Sequence, residues 1–398
     1  PETAGPMIAT YLKQHGKRVS QAKAMVETLF GMGSGDAVQV LVATATRFKQ
    51  RTVRERAGEL VAELAEARGW TDDQLADRSV ATGGFDETGI ISLPIGEDEK
   101  PYMAQLGDDL SVQVINPNGK AVKSLPAGKD EHTKASKALL SAAKKTVKTV
   151  TQQQAARLYE AMLTPRAWPR EDWVADLSTH PIMKRLIERL VWRGLSDEGA
   201  YLGSFRMTPE GEFLDAAGDD IDITAFAKID LAHTASLPEA EHAPWQTHLQ
   251  DFEVKPLFPQ MSRPVRTLDP DAAEVSKIDD RRGWMTTSFK LRSAAGKLGY
   301  DRGPVIDSGG FETYRKVFAS AGLAADLKFT GSYAGGEEDI PVAIEFMHFY
   351  RLPAPEYTGA GLPLNTVPAI LLSEVWNDLH EIAKCGAYDE EWEKKRYY

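Results

Sequence analysis

The 398-residue chain is 42% hydrophobic and 26% charged, with a formal net charge of −11 and a pI near 5.4. That is material for roughly two to three domains, and the acidic balance argues against a dedicated nucleic-acid or acidic-membrane binder. The one cysteine, Cys385, cannot pair internally, no leader-peptide pattern is visible and no apolar run approaches ~18 residues, so the expected compartment is the cytoplasm.

The chain opens at Pro1 rather than methionine, which predicts a piece of a longer protein. Residues 1–83 read as a helical, HEAT-like repeat segment. Met25, Val26, Leu29 and Phe30, then Val38, Leu41, Val42 and Ala45, give two helices separated by Gly31-Met32-Gly33-Ser34-Gly35. Val53, Ala57, Leu60, Val61 and Leu64 follow a capping box, Thr52-x-x-Glu55, and stop at Gly69. A second box, Thr71-x-x-Gln74, starts a short helix. Over 84–126 the period drops to two, with Ile91, Leu93 and Ile95, then Leu110, Val112 and Val114, and a turn at Asn116-Pro117-Asn118-Gly119. This predicts a small antiparallel β-meander.

Residues 127–398 read as one α+β core domain. A long helix from Asp130 has Leu139, Ala143, Val147 and Val150 on one face and Lys134, Lys137, Lys144, Lys145 and Lys148 around the rest, a solvated face or a contact for nucleic acid. Helices follow over 170–178 and 181–193. Strands are predicted over 201–208, at Phe213-Leu214 and over 228–233, then an exposed acidic loop over 267–282 and a helix over 286–298. Strands over 325–330 and 342–350, an apolar run over 367–372 and a closing helix through Val375, Trp376, Leu379 and Ile382 complete the pattern. Mixed runs rather than strict βαβ alternation indicate α+β.

The segment Trp245–Arg266 is the most distinctive. Pro244 reads as a first-turn proline, and Pro256, Pro259 and Pro264 force the chain out of helix beyond Phe252. Trp245, Phe252 and Phe258 are expected to anchor this irregular stretch across a core, with Gln260 and Arg263 satisfying backbone groups.

No complete catalytic constellation is present. Gly31-x-Gly33-x-Gly35 lacks a preceding strand and the Lys-Ser/Thr of a P-loop. Gly309-Gly310, behind Asp307-Ser308 and ahead of Tyr314, Arg315 and Lys316, reads as a tight turn or an anion site. Asp215, Asp219, Asp220 and Asp222 lack calcium-loop spacing, and His233, His242 and His248 lack zinc spacing, so no metal and no cofactor is expected. His380 and Cys385 point apart on one helix. Arg206 in a strand, His233 at a strand end, and Gln260 with Arg263 are polar residues in apolar settings; they are the candidate ligand-binding set, with structural hydrogen bonding as the alternative.

Taken together, several short stretches resemble the bacterial family typified by the molybdate-metabolism regulator MolR, a domain of unknown function often found beside WGR domains and helical repeats. They are Ala-Glu-Ala-Arg-Gly-Trp-Thr at 65–71, Leu75-Ala76-Asp77-Arg78, Arg189-Leu190-Val191-Trp192, Phe205-Arg206, Leu231-Ala232-His233, Trp245 to Arg263, and Ser373-Glu374-Val375. The resemblance implies a regulatory or scaffolding module of a larger cytoplasmic bacterial protein, whose partners are other domains of the same polypeptide or another protein. The competing expectations are an enzyme or binder of a nucleotide or ADP-ribose-type anion using Arg206, His233 and Arg263, and nucleic-acid contact through the lysine helix.

Overall fold

The computed structural model describes residues 4–15, 18–48, 50–96, 100–128, 130–164, 166–269, 275–306, 309–335, 338–355 and 359–395. The chain is α+β, with helices and antiparallel sheets, and it divides into two compact units. One comprises residues up to Gln154 with Pro169–Glu188; the other comprises Ala155–Trp168 with Arg189 onward. Among the described residues no helix is long and apolar enough to cross a membrane.

The first unit begins with helices α1 (Ala4–His15), α2 (Val19–Met32), α3 (Gly35–Arg47), α4 (Arg51–Arg68) and α5 (Asp72–Arg78). Their heptad-like apolar positions close one core through Leu12, Val26, Leu29, Leu41, Val53 and Leu60. Gly33 and Gly69 end α2 and α4 at φ 58° and 63°, the left-handed conformation that a Cβ disfavours. The Thr71 box forms, with Gln74 N donating to Thr71 Oγ1 and Thr71 N to Gln74 Oε1. The Thr52 box does not. α4 starts at Arg51, with Gln50 at its cap, and Glu55 is instead taken by Arg51 Nε at 2.7 Å.

Strands β1 (Ile90–Leu93), β2 (Tyr102–Leu106), β3 (Val112–Ile115) and β4 (Ala121–Val122) form the expected meander in sequence order. Leu110 lies outside β3, in a turn at φ 65°. Helix α6 (Glu131–Leu163) buries Ala143, Val147 and Val150 and leaves its five lysines exposed, as the pattern predicts, whereas Leu139 is itself exposed. α7 (Arg170–Asp172) runs on as a π-helix over Trp173–Ser178, and α8 (Pro181–Ile187) follows a histidine cap.

In the second unit, β5 (Ala167–Pro169), β6 (Trp192–Leu195), β7 (Tyr201–Met207), β8 (Phe213–Leu214) and β9 (Lys228–Leu231) form a sheet in the order β5-β9-β6-β7-β8. β6 corrects the expectation of a helix running to residue 193. Leu190, Val191 and Trp192 are all fully buried, and a short continuous apolar run does not distinguish helix from central strand. Gly194 lies in β6 because an added Cβ would fall 2.3 Å from the Phe226 ring. Helix α9 (Glu239–Asp251) starts earlier than expected, so Pro244 sits inside it rather than in its first turn.

The larger sheet takes β10 (Trp284–Thr287), β11 (Asp301–Arg302), β12 (Gly310–Phe318), β13 (Leu323–Tyr333), β14 (Pro341–Arg351) and β15 (Ala387–Tyr388) in the order β11-β12-β13-β14-β10-β15. Around it are α10 (Ser288–Lys297), α11 (Ala369–Ala383) and the short α12 (Trp392–Lys395). Tyr314, Arg315 and Lys316 thus belong to a strand rather than to a phosphate-binding turn. Asp307-Ser308, and residues 270–274 of the acidic loop, lie outside the described residues. The apolar run at 367–372 is largely the start of α11, a helix buried on nearly every side, as its near-continuous hydrophobicity requires.

Candidate functional site

Helix α11 carries two buried carboxylates, Glu374 and Asp378, one turn apart and therefore on one face. Both are almost wholly removed from solvent. Ionised carboxylates at such a depth need cations and donors close by. Arg263 supplies the first, its Nη1 donating to Glu374 Oε2 at 2.8 Å and to Asp378 Oδ1 at 3.0 Å. Lys316, from β12, donates its Nζ to Asp378 Oδ2 at 3.0 Å. Tyr159 of α6 donates its hydroxyl to Glu374 Oε2 at 3.2 Å.

His233 completes the shell. Its Nδ1 accepts the Ala235 N–H, which places the ring proton on Nε2, 3.5 Å from Glu374 Oε1. Nε2 makes no hydrogen bond, so this is a charge–dipole contact at the edge of hydrogen-bond range. Burial pushes the Glu374 carboxyl up, but the His233 ring, Arg263 and Asn377 outweigh it and hold its pKa below the usual carboxylate range. For Arg263, burial opposes the charged form, and Glu374 and Asp378 reverse that, leaving it raised. Tyr159 and Tyr300 are driven upward by burial first and then by the Asp378 charge, so both remain phenols.

Of the four residues singled out by sequence, His233 and Arg263 meet at Glu374, and the other two lie elsewhere. Gln260 stitches strand ends. Its Nε2 donates to Val191 O and Ala232 O, and its Oε1 accepts the Val191 N–H, all within 2.9 Å. Arg206 Nε donates to His248 Nε2 at 3.1 Å, and its guanidinium lies 5.1 Å from the centre of the Phe252 ring. The expected backbone role thus holds for Gln260, whereas Arg263 serves carboxylates. Of the aromatic anchors, Trp245 is fully buried and donates Nε1 to Ser204 Oγ at 2.7 Å. Phe252 is 50% exposed and is no core anchor; it stacks on His248 instead. Phe258 meets Tyr159 edge-on at 5.3 Å.

Arg263 also lines a cavity of about 630 Å³ together with Thr234, His242, Gln246 and Pro264. A second polar assembly uses the next face of α11. Arg266 Nε donates to Asn377 Oδ1 at 2.7 Å, and Arg266 and Arg281 both donate to His380 Nδ1, at 2.9 and 2.7 Å. Arginines only donate, so the His380 proton is on Nε2, donated to Asp280 Oδ2 at 2.6 Å. Burial first, and the two arginines beyond the offsetting Asp280, keep the His380 pKa lowered. Neither nitrogen of this ring is open to serve as a base for a substrate. Among the described residues no group of three His, Cys, Asp or Glu side chains is placed to hold a metal ion.

The signal that sequence reading passed over is Glu374 and Asp378 themselves, two acids four apart within a largely apolar stretch, Ala-Ile-Leu-Leu-Ser-Glu-Val-Trp-Asn-Asp-Leu. Acids there must be partnered, and the nearby supply of cations comes from far along the chain.

Residues 119–300 match the family described as "Domain of unknown function (DUF4132)". The chain is also similar to "Uncharacterized protein YehI" of Escherichia coli (strain K12), at 28% identity over 312 residues, covering 76% of this chain and 26% of that protein. It therefore spans about a quarter of the length of the curated relative it matches. No solved structure matches. The chain is thus similar over nearly half its length to a domain of unknown function and, more distantly, to an uncharacterised bacterial protein.

Proposed function

We propose that the chain is a non-enzymatic regulatory or scaffolding module of a larger protein. The observation that supports this is the closure of its most functional-looking cluster: two carboxylates face two cations, Arg263 and Lys316, and the remaining oxygen sites meet Tyr159, Asn377 and the His233 Nε2 proton. A general base needs an unengaged lone pair facing a substrate, and a nucleophile needs a neighbouring base. This cluster offers neither. The resemblance to MolR-like proteins points to the same role, and a much longer relative fits a module that works beside other domains.

Arg263→Ala in the ligand-free protein is the test, read by denaturant melts. Removing it strands Glu374 and Asp378 with one cation, and the expected loss is about 3 kcal/mol, the low end for breaking a buried ion pair because Lys316 remains. A variant as stable as wild type, or more so, would overturn this reading. It would favour the alternative, in which Arg263 is a strained clamp for a nucleotide- or ADP-ribose-type anion in the 630 Å³ cavity it lines.

A further inference from the structure

The second unit holds another cavity, of about 550 Å³, between α10 and the edge of the larger sheet. Its size is that of sites for small organic ligands. Five aromatic side chains line it, among them the buried Tyr300. Phe311 and Tyr314 are buried, whereas Phe289 and Tyr333 are each 44% exposed, large apolar surface left at a cavity rim.

Two cations share the same walls. Arg292, on the exposed side of α10, has no hydrogen bond or ion pair among the described residues. Arg302 donates only Nη1, to Ala334 O at 3.0 Å, and lies 5.7 Å from the centre of the Phe311 ring. Tyr314 is 3% exposed, yet its hydroxyl has no hydrogen-bond partner among the described residues. That oxygen is not sealed in the interior; it opens onto the cavity that Tyr314 lines. The Ser332 hydroxyl, 9% exposed and lining the same cavity, is likewise without a hydrogen-bond partner among the described residues. One acid, Asp301, also lines the cavity and forms no ion pair with either arginine. Two cations against one acid leave the cavity walls net positive, which suits an anionic ligand.

We propose that this cavity binds a planar aromatic ring bearing one carboxylate or phosphate-ester group. The ring lies among Phe289, Phe311 and Tyr333, the anionic group takes hydrogen bonds from Arg292 and Arg302, and the Tyr314 hydroxyl donates to it. Guanidinium groups suit this task because they pair with flat oxyanions and also stack on aromatic faces. Burial pushes the Tyr314 phenol up to about 12 while Arg292 and Arg302 pull it back, which sets both cations within electrostatic reach of that hydroxyl. The site does not depend on the role given to the Glu374 and Asp378 cluster, whose test reads stability without ligand.

Isothermal titration of the full chain tests the proposal with four probes: benzoate, phenyl phosphate, benzamide as the uncharged ring, and acetate as the charge without a ring. Benzoate or phenyl phosphate is expected to bind saturably, which distinguishes the two anion types, with benzamide and acetate roughly tenfold weaker or worse, as expected for loss of a charged hydrogen-bond acceptor or of the stacked ring. Arg292→Gln, at an exposed helix position, should leave the melting temperature unchanged and weaken binding by roughly tenfold, and Tyr314→Phe by roughly threefold to tenfold. No saturable heat with either anion at millimolar concentration would overturn the proposal. So would benzamide binding as well as benzoate, or Arg292→Gln binding as well as wild type.

Discussion

Asp176 is ion-paired and still uncomfortable. Arg78 Nε stands 3.4 Å from its Oδ2, but Arg78 is shared with Asp172, to which it donates Nη2 at 2.8 Å. Burial first, and then Asp172 and Asp77 against the pull of Arg78, raise the Asp176 carboxyl to about 6. The folded state then holds a proton that the unfolded chain releases near its ordinary carboxylate value, so Asp176 costs stability as pH rises from about 4 to 6. Asp176→Asn should therefore stabilise the protein by about 1–3 kcal/mol at pH 7 and by little below pH 4, as read from melts across that range. His180 has the opposite sign. Its Nδ1 accepts the N–H groups of Ile182 and Met183 at the start of α8, its Nε2 donates to Val80 O, and burial lowers its pKa to about 4. The unfolded chain binds the proton first, so the stability from this cap is complete above the ordinary histidine value near 6.5 and is lost as pH falls toward 4. His180→Asn keeps a side chain suited to capping, so the opening free energy at Ile182 and Met183, read by hydrogen exchange, should stay within about 1 kcal/mol of wild type at pH 7 and lose its steep fall on acidification. An equally steep fall in the variant would show that another group carries the pH response.

Packing divides the irregular segment after α9 into parts of unequal weight. Trp245 is sealed against Ser204 and deserves the full cost of an emptied core site, about 3–5 kcal/mol for Trp245→Ala. Phe252→Ala should cost under about 1 kcal/mol, because half of that ring already meets water. Comparing their urea midpoints checks the ranking. Sequence made the segment itself legible, since three prolines exclude helix, but it did not reveal which aromatic ring faces inward. The same limit governs the strands. Val342 to Tyr350 was plain from its β-branched and aromatic content, while Trp192, the first residue of β6, passed for helix because the buried run Leu190-Val191-Trp192 has no polar face to give it a period of two. The site was half legible. His233 and Arg263 stood out as polar residues in apolar surroundings, but Arg263 lies 111 residues from the Glu374 it meets, and no local pattern encodes a pairing at that range.

At the scale of the molecule, the match to the domain of unknown function covers residues 119–300, and that span cuts across the architecture. It contains Arg263 and β10 but neither α11, which carries Glu374 and Asp378, nor β14, to which β10 is paired. A fragment of residues 119–300 should therefore fail to fold alone, with the broad, noncooperative melt of a chain lacking half its core, whereas residues 119–398 regain those partners. A cooperative melt from the shorter fragment would show that the family match marks an autonomous folding unit. The order of synthesis adds a kinetic consequence. Arg263 and Lys316 leave the ribosome long before α11 does, at roughly 5–20 residues per second, and each must stay hydrated until the acids arrive. The carboxylates are thus delivered late among the parts of the second unit's interior, so a nascent chain stalled before residue 374 is left with unpaired cations and open sheet, a species for chaperones and proteases rather than a shorter version of the protein.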